Sequence, residues 1–127
     1  MQDKHLYEYA VVRVVPRVER EEFLNAGIVL YCRQKKFLQC IYKLDKHRLQ
    51  TLCDSLDCSD VEVHLRSFEN ICNGNNEGGS IGSLDTASRF RWLTATRSTI
   101  IQTSKVHPGF CKDPEETLNK LFEQLVL

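Results

Sequence analysis

The order of patterns along this 127-residue chain predicts an α+β fold: a single mainly antiparallel four-stranded sheet with helices packed on it. Three observations carry that expectation. Three short apolar runs rich in β-branched and aromatic residues come first, two helical stripes follow them, and the chain closes on one more strand and a well-marked helix. Strands that precede helices, instead of alternating with them, favour a layered sheet over a doubly wound one. At this length the chain reads as one domain spanning residues 1–127, able to bury a core without staples. It contains no internal repeat.

Leu6 to Val15 is apolar on both faces, as a buried central strand requires, and Pro16 ends it. The charged stretch from Val18 to Asn25 suits one helical turn or an irregular crossover. Ala26 to Cys32 is again continuously apolar and too short for a free helix, so it reads as a second strand. Arg33 to Lys36 makes a polar turn, and Phe37 to Leu44 completes a hairpin.

Asp45 is placed to cap a short helix running to about Ser55, with Leu49, Leu52, Cys53 and Leu56 on one side. Ser59 and Glu62 have the spacing of a capping box, and Val61, Leu65, Phe68 and Cys72 give the stripe of a second helix that Asn73-Gly74 ends. The glycine-rich run from Asn73 to Ser83 reads as a flexible loop, and it lacks the ending of a phosphate-binding loop. The stretch Asp85 to Ser88 is placed to cap a short helix through Arg89 to Thr94. Thr99 to Thr103 is the fourth strand, and Val106 to Gly109 reads as a turn. Asp113, Pro114, Glu115 and Glu116 open the last helix, whose expected buried face is Leu118, Leu121, Phe122 and Leu125.

Composition excludes several classes. Basic and acidic side chains number 17 each, so nothing favours non-specific binding to nucleic acid. No run approaches the roughly 18 apolar residues of a membrane span, and the first residues lack the apolar core of a signal peptide, so a cytoplasmic location is expected. The six cysteines (Cys32, Cys40, Cys53, Cys58, Cys72, Cys111) then stay reduced, as buried or half-buried thiols rather than disulfides or metal ligands. No metal or cofactor signature is present.

Charge is distributed in blocks. Residues 1–53 carry +4, 54–85 carry −6, 86–112 carry +5 and 113–127 carry −3. The third block holds five basic residues and no carboxylate, and it contains Arg89-Phe90-Arg91-Trp92-Leu93-Thr94-Ala95-Thr96-Arg97-Ser98-Thr99. Arginines beside hydroxyls suit an anion, most simply a phosphate. The reading is conditional on backbone phase. An extended Ser88–Leu93 points Arg89 and Arg91 to one side as a clamp, whereas a helix sends them apart, to pair with the acidic block at 54–85. Arg97, Ser98 and Thr99 extend the candidate anion site, and Arg17 and Asn25 are candidates opposite it. His107 and Glu22 are the candidates for a general base, and no nucleophile–base pair follows from spacing.

Three strings, YEYAVVRVVPRVEREEFLNAGIVLYC near the start, RFRWLTATRSTIIQTSKVHPG in the middle and DPEETLNKLFEQLV near the end, resemble the bacterial domain-of-unknown-function family DUF3037 over essentially the whole chain. That resemblance implies a short cytoplasmic protein often encoded beside a HipA-like kinase-fold protein, hence a protein partner; it implies no activity and carries over no site residues. Three functional readings stand side by side. One is a binding or regulatory module with an arginine-lined anion site that acts with a partner. The second is a small enzyme on a phosphorylated or nucleotide substrate, and the third is a homo-oligomeric structural subunit.

Overall fold

The computed structural model describes residues 4–97 and 99–127, which form one mainly antiparallel sheet between two helical layers. Five strands make the sheet, one more than the sequence predicts: β1 (His5–Val14), β2 (Leu24–Cys32), β3 (Phe37–Tyr42), β4 (Ile101–Thr103) and β5 (His107–Cys111). The order is β3-β2-β1-β4, and β5 also pairs with β1. Along the free edge of β1, β4 lies against Val12–Val14 and β5 against His5–Tyr9. The two short strands therefore share one edge end to end.

The helices are α1 (Lys46–Leu52), α2 (Cys58–Asn73), α3 (Gly79–Gly82), α4 (Thr86–Leu93) and α5 (Pro114–Leu125). One face of the sheet buries Ala10, Val12, Val14, Val29 and Tyr31 against α1, α2 and α4; the other buries Val11, Ile28, Leu30 and Cys32 against α5. Coverage on both sides is why β1 and β2 read as unbroken apolar runs. No described helix is long and apolar enough to cross a membrane.

A bulge sets the phase of β2. Val12 faces Gly27 and Arg13 faces Asn25, so Ala26 is the extra residue and alternation flips there. Leu24 and Ala26 consequently face the helical layer of α1, α2 and α4, whereas Ile28 and Leu30 face α5. Gly27 is required at this point, because a Cβ there would lie 2.4 Å from the Ile41 carbonyl oxygen of β3.

Local signals set most of the helix starts. Asp45, Asp85 and Asp113 each cap through a carboxylate oxygen that accepts a backbone N–H, from Arg48, Ser88 and Glu115. The start of α2 is corrected: its cap is Asp57, which accepts from both the N–H (2.9 Å) and the hydroxyl (2.6 Å) of Ser59, so Ser59 donates instead of capping. Those bonds hold the Asp57 carboxyl below the usual carboxylate range. Gly74 ends α2 in the left-handed region at φ 68°.

Four further expectations change. The run from Asn73 to Ser83 is not a plain loop but a 3-10 turn (Asn76–Gly78) followed by α3, and its glycines permit close packing on α2, with a Gly78 Cβ position 3.1 Å from the Asn70 carbonyl oxygen. The segment Val106–Gly109 is not a turn, since His107 begins β5. Pro108 is tolerated because the strand lies at the sheet edge, and Gly109 leaves room for the Tyr7 ring, which a Cβ would meet at 2.5 Å. α1 ends at Leu52 and not near Ser55. On α5, Leu125 is exposed, and Val126 takes the buried position expected of it. All six cysteines are free, with Cys32, Cys72 and Cys111 buried and the others half-buried.

Candidate functional site

The basic segment is helical where its clamp needed an extended backbone. α4 runs from Thr86 to Leu93, so Arg89 and Arg91 leave it in different directions. Arg89 turns inward: its Nη1 donates to the Leu84 carbonyl at 2.7 Å, its guanidinium lies against Gly74, and its Nε is buried without a partner. Arg91 reaches the sheet and grips Glu8 with both terminal nitrogens, at 3.2 and 3.3 Å. The helical alternative is corrected too, because among the described residues neither arginine pairs with a carboxylate of the 54–85 block. Arg89 staples the loop before its own helix, and Arg91 ties that helix to β1.

Arg97 behaves differently. Thr94 closes α4 by donating its hydroxyl to the Phe90 carbonyl, and the chain then turns back so that the Arg97 guanidinium lies 4.0 Å over the Trp92 ring. It also donates to the Trp92 carbonyl, a cation placed where the helix dipole is negative. Among the described residues it has no carboxylate partner. Thr99 uses its hydroxyl locally, donating to the Ile101 carbonyl at 2.7 Å, and its own carbonyl accepts from Gln102 Nε2 at 2.9 Å. Ser98 lies outside the described residues.

These groups rim a groove of about 580 Å³ between α2, α4 and the segment leading into β4. Phe68 and Ile71 of α2, Trp92 and Leu93 of α4, and Ile100 and Ile101 form its apolar walls; His64, Ser67, Arg97, Thr99 and Gln102 supply the polar atoms. No carboxylate lines it. The groove thus offers an arginine, a few polar side chains of which Thr99 and Gln102 already bond locally, and a hydrocarbon floor. Trp92, the chain's single tryptophan, is exposed at its edge.

Arg17 and Asn25 do not join this groove. Arg17 lines a separate pocket of about 310 Å³ with Arg20, Glu22, Cys53 and Asp54. There a contact with the Ser55 hydroxyl at 3.5 Å, and then the Arg17 guanidinium, draw the Cys53 thiol below its ordinary pKa. Asn25 sits at the β2 bulge, where its Nδ2 donates to the Leu125 carbonyl at 3.2 Å and fastens the end of α5. The base candidates are apart as well. Glu22 is bound to Arg20 at 2.6 Å, which lowers its carboxyl pKa, the opposite of a tuned base. His107 stands on β5 beside the Tyr9 ring, 5.4 Å between centroids, outside both the groove and the Arg17 pocket.

The sequence reading missed Ile71 and the Ile100–Ile101 wall as site residues, although Ile71 lies one position off the stripe assigned to α2 and that phase could have shown it. It missed Cys53 for a different reason. Only the fold brings Arg17, from the crossover after β1, against the turn after α1. Among the described residues no group of three or more His, Cys, Asp and Glu side chains could hold a metal ion.

No curated protein and no solved structure matches the chain. A family model does: the one described as Protein of unknown function (DUF3037) matches residues 9–126, and the chain belongs to that family.

Proposed function

We propose that this protein is a binding module whose ligand is an organic anion, with an apolar or aromatic body in the α2–α4 groove and a phosphate or carboxylate against Arg97. The observation that carries the reading is the chemistry of the lining: an arginine without a carboxylate partner among the described residues, at the mouth of a groove with largely apolar walls and no carboxylate. A charge-assisted hydrogen bond to a partly desolvated guanidinium supplies orientation, and the hydrocarbon wall supplies affinity. Arg89 and Arg91, spent on the Leu84 carbonyl and on Glu8, take no part. Ligand occupancy would act through a protein partner, for which the kinase-fold neighbour implied by the family resemblance is the first candidate.

The anionic naphthalene dye 1-anilinonaphthalene-8-sulfonate matches these requirements, and Trp92 is a built-in reporter of its arrival. Titration should give saturable energy transfer from Trp92 to the dye. Arg97→Ala should weaken binding by about tenfold or more, the worth of one charge-assisted hydrogen bond, with α2 and α4 still folded by circular dichroism. Dye binding unchanged by Arg97→Ala, or no saturable transfer from Trp92, refutes the proposal.

A further inference from the structure

A second surface lies at the opposite end of α4. The helical layer formed by α1, α2 and α4 stops short of the sheet's end, so the first residues of β1 and the end of β5 stand uncovered on that face. Leu6 and Phe110 are direct cross-strand partners there, and paired residues of neighbouring strands project to the same side. They are 50% and 70% exposed, respectively. Two large apolar side chains adjacent and open to water are unusual enough to point to a partner.

Beside this pair is a cavity of about 710 Å³, between β1, the β2–β3 turn and the start of α4. Its charges do not cancel evenly. The two carboxylates on its wall are already committed: Glu8 to both terminal nitrogens of Arg91, and Asp85 to the Ser88 backbone N–H at 2.7 Å as the α4 cap. Arg33 and Lys36, on the turn between β2 and β3, have no carboxylate partner among the described residues, and Lys35 adds a third exposed cation on the same turn. The turn itself is fixed, because the Lys36 N–H donates to the Arg33 carbonyl at 3.1 Å. The backbone that carries its cations is held beside Leu6.

We propose that this end of the sheet is a docking surface for an acidic segment of a protein partner that carries a large apolar side chain. The apolar residue covers Leu6 and Phe110, and the flanking carboxylates meet Arg33, Lys35 and Lys36. Charge sets the choice of occupant: free cations rim the surface, Glu8 is offset by Arg91, and Asp85 is held at the N-terminus of α4. The surface is distinct from the Arg97 groove and shares no lining residue with it.

The test uses the full chain and a fluorescein-labelled peptide of glutamates flanking a central leucine–phenylalanine pair, read by anisotropy. The peptide should bind, and more weakly as salt rises. The double variant Arg33→Glu with Lys36→Glu should weaken it by about tenfold or more, as reversal of two rim charges predicts, and Phe110→Ser should do so by a similar factor through loss of an apolar anchor. Both variants change exposed side chains, and thermal melts establish that the fold is kept. A peptide with serine in place of the apolar pair should bind less tightly. Absence of binding to the unaltered protein overturns the proposal, as does affinity indifferent to the charge reversal. Equal affinity for the serine peptide or for a single-stranded oligonucleotide also overturns it, and identifies a plain polyanion patch instead.

Discussion

Ser104 is the one buried polar side chain among the described residues, and the fold gives it a job that alanine cannot do. It sits between β4 and β5, where the edge alongside β1 would otherwise be broken. Its hydroxyl accepts the Val11 N–H at 2.8 Å and donates to the Lys105 carbonyl at 2.9 Å, while its own N–H donates to the Val11 carbonyl at 2.9 Å. Ser104→Ala keeps the last of these bonds and removes the first two. Lys105 is exposed, so water replaces the hydroxyl at its carbonyl at little cost. The Val11 N–H is buried and has no substitute, and stranding such a donor costs about 1–3 kcal/mol. We expect a loss near 2 kcal/mol, which for a chain of this size lowers the melting temperature by roughly 6–10 °C. Urea and thermal unfolding measure the loss, and hydrogen exchange locates it: the Val11 amide should lose protection before those of β2. A loss below about 0.5 kcal/mol, the size of an indifferent surface change, together with unchanged Val11 protection, would refute the reasoning.

Other outcomes follow from single features of the structure. Gly27→Ala should cost more than about 3 kcal/mol, because its Cβ would overlap the Ile41 carbonyl oxygen and Tyr42 of β3, whereas Gly79→Ala has open space around it and should cost less, about 1–3 kcal/mol, all of it from the glycine-only backbone at φ 66° and ψ −152°; denaturant midpoints compare them. Burial, and then the hydrogen bond to Glu69 at 3.0 Å, push the Tyr42 phenol from 10.0 up to about 12. A pKa raised on folding means that the stability it contributes is complete below pH 10.0 and is lost as pH rises through about 12. Ultraviolet titration of Tyr42→Phe against the unaltered protein isolates that group. Of the six thiols, Cys53 should alkylate first with iodoacetamide near neutral pH, and Arg17→Ala should slow it, as peptide mass spectrometry would report; an equal rate in the variant shows that Arg17 does not matter to the thiol.

The parts of the fold legible in the sequence are those governed by neighbours in the chain. Asp45, Asp85 and Asp113 cap their own helices, and Gly74 ends α2, because each needs only the next few backbone groups. β5 was hidden for the opposite reason. His107-Pro108-Gly109 has turn chemistry by composition, yet Pro108 sits where an edge strand needs no inward N–H, and Gly109 is set by a Tyr7 ring from the other end of the chain. The β2 bulge was equally invisible, since a run that is apolar on both faces carries no phase for a slip to disturb.

The arginine segment shows where such a reading stops. Its phase was decidable from Asp85, whose capping spacing already argued for a helix over the extended backbone on which the clamp depended. Once the segment is helical, arginines two positions apart diverge, and a site built on Arg89 and Arg91 together is geometrically closed off. What the sequence could not supply was the destination of each side chain. Arg91 meets Glu8 across 83 residues and Arg89 meets Leu84 across five, while Arg97, past the helix, is left over the only tryptophan at the mouth of a groove. Local charge density picks out the segment and says nothing of where each of its side chains goes. Of the three arginines, Arg91 is taken by a carboxylate of the sheet and Arg89 by the loop before its own helix, so the one that lines the groove is Arg97, beyond the helical repeat.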